Sequence, residues 1–303
     1  MISERDVTFY NDHGYLVVGE VLSKDDVDEL RKITDAFVEK ARQVTQHDEI
    51  YDLEDSHSTA EPRVRRIKTP HLHHETYARM VAHPNIMAVL QKLWGPSIRF
   101  DVSKLNLKSA GYGAPVEWHQ DWAFYPHTND DLAAVGIMID DVDESNGPLM
   151  VIPRSHKGPI LDHHIDGYFC GAINASSSDV DFGDAAKLTG KAGSITIHHA
   201  RAIHGSATNT SGRPRRLLLH QYRAADAWPL LGADQAWQEY RDSLLTGNDT
   251  IEPRMTNVPI RLPLPPAPHQ GSIYENQKSS KNRFFETGEA TAAAARQAGS
   301  TLS

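Results

Sequence analysis

Cysteine, long apolar runs and blocks of positive charge are scarce or absent in this 303-residue sequence. The single cysteine, Cys170, excludes an internal disulfide framework and cysteine-rich zinc sites, and it favours a reducing compartment. The net charge of −9 and the lack of a basic stripe disfavour nucleic acid and anionic membranes as partners. No apolar run could span a bilayer, and the N-terminus lacks the apolar core of a signal peptide. These absences predict a cytoplasmic protein, monomeric or homodimeric, with no nucleic-acid or membrane partner.

Helical periodicity dominates the first part of the chain, residues 1–95. Ser3 is a candidate N-cap for a short helix to about Asn11, and a strand is expected over 15–18. Ser23 precedes an acidic first turn and apolar residues at helical spacing, which predicts a second, longer helix.

Between these helices and the next one lies a polar stretch, 45–75, which we expect to be a long irregular loop. Residues 76–93 carry apolar positions typical of further helix. The loop contains a cluster of four cations: Arg63, Arg65, Arg66 and Lys68. Two interpretations of this cluster remain open, a solvated face and a contact to an anionic substrate.

Short segments with β character follow from Ile98, and turns rich in glycine and proline separate several of them. The candidate strands are 98–108, 115–120, 133–139, 148–152, 194–198, 202–208 and 215–223. Many short strands after a helical part predict a mainly β fold with flanking helices, a cupin-like jelly roll.

No internal repeat or domain boundary is evident, so we expect one domain over residues 1–303. The predicted jelly-roll core covers 96–225 and contains an insertion, 157–190, without clear periodicity. The last part, 226–303, is expected to hold a helix over 233–245 and an extended proline-rich stretch over 259–268.

A His-x-Asp motif at residues 119–121 is the main candidate for metal binding. Residues i and i+2 of a strand point to one side, so His119 and Asp121 can bind one ion together. Two histidines and a carboxylate on one face of a metal are the ligand set of non-haem iron(II) oxygenases. A second His-x-Asp, His164 with Asp166, lies in the irregular insertion, whereas His119 ends a predicted strand. The context therefore favours the first motif.

A third ligand must come from a distant strand. The candidates are His198, His199 and His204. Small residues follow His204, and Arg215 stands eleven positions after it. A guanidinium binds a carboxylate through two parallel hydrogen bonds, as an oxo-acid co-substrate requires. Arg213 and Arg216 are rivals for this role, although Arg215 shares its strand face with an inward-looking set of residues.

Taken together, these motifs resemble the phytanoyl-CoA dioxygenase family. The resemblance rests on 9–17, 119–121, 146–156, and 204–206 with Arg215, in that order, and it extends over roughly residues 5–225. It implies a double-stranded β-helix. It also implies a hydroxylase that uses 2-oxoglutarate and O2 and releases succinate and CO2.

The resemblance also assigns residues to the cofactors. It implies Fe(II) bound by His119, Asp121 and His204, and 2-oxoglutarate held by Arg215. Further candidates for contact with the oxo-acid are Asn106, Ser206 and Lys108. Because related halogenases replace the metal-binding carboxylate with a small residue, Asp121 favours hydroxylation or another two-electron oxidation.

The substrate is expected to be a small molecule, but its identity stays open. Residues expected to border its pocket are Trp122, Phe124, Tyr125, His127, Gln221 and Arg223. For the aromatic residues the alternative is packing beneath the 157–190 insertion, which could form a lid. Departures from the ectoine hydroxylase pattern after Asp121 argue against that activity. Two alternatives to an oxygenase remain: a jelly-roll metalloprotein of another reaction class, and a non-catalytic binding or sensing protein.

Overall fold

The computed structural model describes residues 2–165, 168–174, 178–231, 236–260, 273–278 and 283–285. The helices are α1 (Glu4–His13), α2 (Lys24–Lys40), α3 (Glu75–Val81), α4 (Pro84–Trp94), α5 (Trp237–Asp242) and α6 (Ile273–Gln277). The strands up to the middle of the chain are β1 (Tyr15–Val18), β2 (Tyr51–Leu53), β3 (Val64–Lys68), β4 (Ile98–Lys108), β5 (Val116–His119), β6 (Leu132–Met138) and β7 (Leu149–Val151). The remaining strands are β8 (His164–Ile165), β9 (Tyr168–Phe169), β10 (Ala186–Leu188), β11 (Ile195–His199), β12 (His204–Ser206), β13 (Arg215–Ala224) and β14 (Leu244–Thr246).

Two antiparallel sheets form the core of the fold. The major sheet has the order β1-β11-β6-β13-β4-β3-β2, and β14 also pairs with β4. The minor sheet has the order β10-β7-β12-β5. Strands that are distant in sequence alternate between the sheets, as in a jelly roll. The prediction of a mainly β jelly roll with flanking helices is confirmed.

Helices α2, α3 and α4 cover one face of the major sheet, and strand alternation explains why. On β4, Leu105 and Leu107 are buried in the large apolar cluster that also contains Leu30 of α2 and Leu90 of α4. Intervening β4 residues, such as Asn106, line a cavity that the minor sheet also borders. Each fully buried leucine contributes about 1.5–3 kcal/mol, so this packing stabilises one face and leaves the other free for polar groups.

The first two helices begin where the sequence predicts. Ser3 and Ser23 each accept a hydrogen bond from the backbone N–H three residues later, and Asp6 and Asp26 accept one in return from the Ser3 and Ser23 backbones. Such capping boxes satisfy N–H groups that lack a partner within the helix.

The seven predicted core strands are all present, with bounds that differ by at most two residues at each end. Elsewhere the structure differs from expectation. The stretch 45–75 is not simply a loop, because β2 and β3 lie in it and extend the major sheet from β4. The helix expected over 76–93 is divided between α3 and α4, with Pro84 beginning the second.

The insertion is shorter than predicted, because β10 at its end pairs with β7 of the minor sheet. A short β8–β9 ladder lies within it. Of the extended stretch expected over 259–268, only residues 259–260 are among the described residues. Asp166, of the second His-x-Asp motif, also lies outside them.

Candidate active site

The minor sheet brings His119, Asp121 and His204 together. His119 ends β5 and is the register partner of His204, which begins β12. Asp121 follows at the start of a short 3-10 turn, Asp121–Ala123. Its Oδ1 lies 3.7 Å from His119 Nε2 and 3.9 Å from His204 Nε2. The three ligand atoms lie within 4.8 Å of one another, and all three residues are buried.

Backbone carbonyls set the protonation of both imidazoles. His119 Nδ1 lies 2.8 Å from the Glu117 carbonyl, and His204 Nδ1 lies 3.0 Å from the Ala202 carbonyl. A carbonyl can only accept, so each Nδ1 must carry the proton. Each Nε2 then has a free lone pair directed towards Asp121, which is the tautomer that a metal ligand requires.

The electrostatics of the three residues suit a cation. Burial lowers the pKa of His119 to about 4, and it lowers that of His204 well below its usual value. Both imidazoles are therefore neutral at pH 7. Burial alone would raise the pKa of Asp121, but His204 and the nearby Lys104 ammonium lower it well below its usual range. Two neutral imidazoles and a carboxylate form a donor set that fits a divalent metal ion.

The rival histidines lie elsewhere. His198 borders the site, with Nε2 3.6 Å from Asp121 Oδ2, but it lies outside the three-residue cluster. His199 points to the opposite face of β11, where its Nε2 lies 3.8 Å from Asp130. In the second motif, the His164 side chain contacts Asp162.

Arg215 lies in the same cavity, and its two rivals do not. Its guanidinium is buried, and Nε and Nη2 donate to the Gly147 carbonyl at 3.1 and 2.8 Å. Burial lowers its pKa to about 10, so it remains charged at pH 7. No carboxylate pairs with it in the part of the chain that the structure describes. Arg213 instead pairs with Asp143 on the surface, and Arg216 pairs with Asp140 and Asp35.

The three further residues expected at the oxo-acid divide into two groups. Asn106 and Ser206 both line the cavity beside Arg215. Lys108 differs from expectation, because it does not line the cavity. Its Nζ donates to the backbone carbonyls of Ser206 and Ala207, so it holds β12 against β4.

Of the aromatic residues expected at the substrate pocket, Phe124 and Tyr125 lie near the metal-binding cluster. The Phe124 ring centroid is 6.1 Å from that of His119. Burial and the neighbouring Asp121 carboxylate raise the pKa of Tyr125 well above its usual value.

Trp122 and His127 lie farther from the cluster, and neither is among the residues that line the cavity. Trp122 packs with Leu132 and Ala200, and its Nε1 donates to the Pro259 carbonyl. His127 is buried and contacts the Tyr125 carbonyl. The physical reason is the 3-10 turn after His119, which ends the strand alternation.

Gln221 and Arg223 are also not among the residues that line the cavity. Both donate to Asp101 of β4, Gln221 at 3.3 Å and Arg223 at 2.7 Å. The extra residue at the register shift between Gln221 and Tyr222 is Asp101 on β4, whereas the pairing of β13 with β6 continues without a shift. Gln221 and Arg223 therefore form a separate polar group at the far end of β4 and β13.

Three further polar residues line the cavity, Arg66, Lys104 and Tyr274, and only Arg66 was among the candidates from the sequence. Lys104 stands two positions before Asn106 on one face of β4, so strand alternation could have identified it. Arg66 belongs to the basic cluster noted in the sequence. Tyr274 comes from α6, and nothing local in the sequence links this helix to the cavity.

The fold and this site together define a class of protein. It is a jelly-roll protein in which two histidines and one carboxylate converge beside a buried arginine, as in oxygenases that use non-haem iron and an oxo-acid. No helix among the described residues is both long enough and apolar enough to cross a membrane.

Comparisons with known proteins identify the family. The phytanoyl-CoA dioxygenase (PhyH) family matches residues 10–217. A probable alpha-ketoglutarate-dependent hypophosphite dioxygenase of Stutzerimonas stutzeri is 37% identical over 280 residues, which are 91% of this chain and 97% of that protein. An L-proline trans-4-hydroxylase of Streptomyces griseoviridis is 32% identical over 241 residues, 73% of this chain and 86% of that protein. Among solved structures, EctD from S. alaskensis with bound Fe has a TM-score of 0.64 at 21% identity, over 85% of this chain and 88% of that one.

The chain belongs to the phytanoyl-CoA dioxygenase family. It is an enzyme, a dioxygenase that depends on iron(II) and 2-oxoglutarate, and it acts on a small molecule. The family, the activity and the cofactors predicted from the sequence are thereby confirmed.

Proposed function

We propose that His119, Asp121 and His204 hold the iron of this dioxygenase. The supporting observation is their convergence: two Nε2 atoms with free lone pairs lie around one buried carboxylate. The Glu117 and Ala202 carbonyls keep both rings oriented by accepting from Nδ1. Outer partners of this kind fix the tautomer and raise the basicity of the ligand.

Arg215 binds the far carboxylate of 2-oxoglutarate in this proposal. It is a buried cation without a carboxylate partner among the described residues, beside a cavity lined by Asn106 and Ser206. Tyr274 borders the same cavity, and its buried hydroxyl lacks a hydrogen-bond partner in the described part of the chain. It can therefore donate to the same carboxylate. Lys108 has an indirect role and positions the strand that carries Ser206.

The bound iron supplies the reaction with O2, in which one oxygen atom enters the substrate and the other enters succinate as CO2 leaves. The protein binds and orients the reactants and excludes water. Phe124 and Tyr125 are suited to excluding water, because both lie against the metal-binding cluster.

We further propose that the substrate is a small oxyanion. The two relatives named above act on hypophosphite and L-proline, both small molecules with an anionic group. Hypophosphite is the first candidate, because that relative aligns with nearly the whole chain. The enzyme would act as a single-domain monomer or homodimer in the cytoplasm.

Succinate release tests this function directly. Purified protein with iron(II), O2 and 2-oxoglutarate is offered hypophosphite, methylphosphonate, L-proline and ectoine in parallel. We expect hypophosphite, methylphosphonate or L-proline to stimulate succinate release and to gain one oxygen atom. If none of these three does either, the proposed substrate class is wrong.

A further inference from the structure

A lysine without an ionic partner stands beside the metal-binding cluster. Lys104 lies on β4, and its side chain lines the cavity with His119 and His204. Its charge interacts with Asp121 and His119. Within the described ranges it forms no ion pair or hydrogen bond, unlike Lys108 on the same strand. Lys104 is partly buried, so its ammonium faces the cavity and is available to a ligand there.

Arg66 is a second cation in this cavity with unused capacity. It is the register partner of Asn106, and its Nε donates to Asn106 Oδ1 at 3.2 Å. Its Nη2 is buried and has no hydrogen-bond partner among the described residues. The neighbouring cations of the basic cluster differ, because Arg65 pairs with Glu275 and Lys68 pairs with Asp52.

The position of Lys104 separates it from the proposed oxo-acid end. Arg215 is the register partner of Lys108, whereas Lys104 is opposite Leu219. Four residues of strand separate Lys104 from Lys108, which is roughly 13 Å along the sheet. Arg215 and Lys104 therefore mark opposite ends of the cavity, with the metal-binding cluster next to Lys104.

A count of formal charges shows that the cofactors do not need Lys104 for charge balance. The charges of iron(II), Asp121, a 2-oxoglutarate dianion and Arg215 cancel. Lys104 and Arg66 then remain as a positive excess in a largely enclosed site. An anionic substrate would compensate this charge, and a neutral one would leave it without a counter-charge in the cavity.

We infer that Lys104, with Arg66 beside it, anchors the oxyanion of the substrate and thereby determines the specificity for anionic substrates. The inference rests on the proposed function, since it assigns iron and 2-oxoglutarate to the other groups of the site. It identifies the chemistry that the enzyme selects: a compact anion held next to the metal-binding cluster by an ammonium group.

Binding measured without turnover tests this inference. Hypophosphite, methylphosphonate and L-proline are titrated calorimetrically into protein loaded with iron(II) and 2-oxoglutarate under anaerobic conditions. The variants are Lys104→Met, which removes the charge at similar length, and Lys104→Arg, which keeps it. Lys187→Met is the matched control, because Lys187 is exposed and pairs with Glu144 on the surface.

We expect the wild type to bind at least one of these anions, and Lys104→Met to weaken that binding about 10- to 100-fold. Lys104→Arg should recover part of the loss, and Lys187→Met should have no effect. Iron content and the affinity for 2-oxoglutarate should stay unchanged in all variants. In turnover, Lys104→Met should raise KM for the anion more than it lowers kcat.

Three results would overturn the inference. The first is that wild-type protein binds none of the three anions. The second is that Lys104→Met leaves anion binding unchanged. The third is that Lys104→Met weakens the binding of 2-oxoglutarate and not that of the anion. In each case normal iron and 2-oxoglutarate binding by the wild type would leave the cofactor assignment intact. Failure of the wild type to bind iron or 2-oxoglutarate would contradict the proposed function itself.

Discussion

Replacing Arg215 with methionine should selectively destroy the affinity for 2-oxoglutarate. Arg215 is only 3% exposed, and its guanidinium is oriented by two hydrogen bonds to the Gly147 carbonyl. Removing one partner of a buried, hydrogen-bonded charge pair costs about 2–5 kcal/mol, which corresponds to roughly 30- to 4,000-fold in the dissociation constant. Because Arg215 lies outside the metal-binding cluster, iron binding should persist.

The assay is calorimetric titration of 2-oxoglutarate into anaerobic, iron-loaded protein. Arg213→Met is the matched control, because it removes the same side chain two positions away. The Arg213 side chain is 54% exposed and pairs with Asp143, and such surface pairs contribute about 0–1 kcal/mol. The control should keep wild-type affinity. Unchanged affinity in Arg215→Met, or an equal loss in Arg213→Met, would refute the assignment of Arg215.

Two further predictions concern stability, measured by urea unfolding of the metal-free protein. Burial lowers the pKa of His220 to about 3. Below pH 6.5 His220 is therefore protonated in the unfolded chain but stays neutral in the folded one. The free energy of unfolding consequently decreases as the pH is lowered. When the pH is lowered from 7.5 to 5.5, the free energy of unfolding should decrease by about 1.4 kcal/mol less in His220→Gln than in wild type. An equal decrease in both proteins would contradict the role given to His220. Gly14→Ala should lose at least about 2 kcal/mol, because Gly14 has φ +80 and its Cβ would lie 2.4 Å from His156 Nδ1. Gly212→Ala, with open space around it, should be near neutral, and two equal losses would count against the packing argument.

The metal-binding cluster could be predicted from the sequence because its signals are local. His119 and Asp121 are two residues apart at a strand end, and turn residues on either side delimit the strands. His204 and Arg215 lie on β12 and β13, two consecutive strands that belong to different sheets, and both residues line the same cavity. Of the three arginines, Arg215 could be preferred from strand alternation alone.

Other parts of the site depend on contacts between distant segments. Arg66 lies on a short strand whose only signal is its pairing with β4, since three to five residues carry too little periodicity. Tyr274 reaches the cavity from α6, and no pattern within that helix predicts this contact.

Strand alternation also fails where the backbone departs from a regular strand. The 3-10 turn at Asp121–Ala123 turns Trp122 into the packing beneath Pro259. On β13 the alternation continues past Gln221, but Gln221 and Arg223 lie towards the end of the strand, where both contact Asp101 of β4 and neither lines the cavity. Alternation therefore indicates which face of a strand a residue occupies, but not how far along the strand it lies from the metal-binding cluster.

The central claim is that the first His-x-Asp motif of the chain, and not the second, holds the iron. Iron bound per chain after anaerobic loading, in wild type, Asp121→Ala and Asp166→Ala, tests it most directly. We predict about one iron(II) per chain in wild type and Asp166→Ala, and loss of binding in Asp121→Ala, because the cluster then lacks its only carboxylate. Wild-type iron content in Asp121→Ala, or loss of iron in Asp166→Ala alone, would contradict the account.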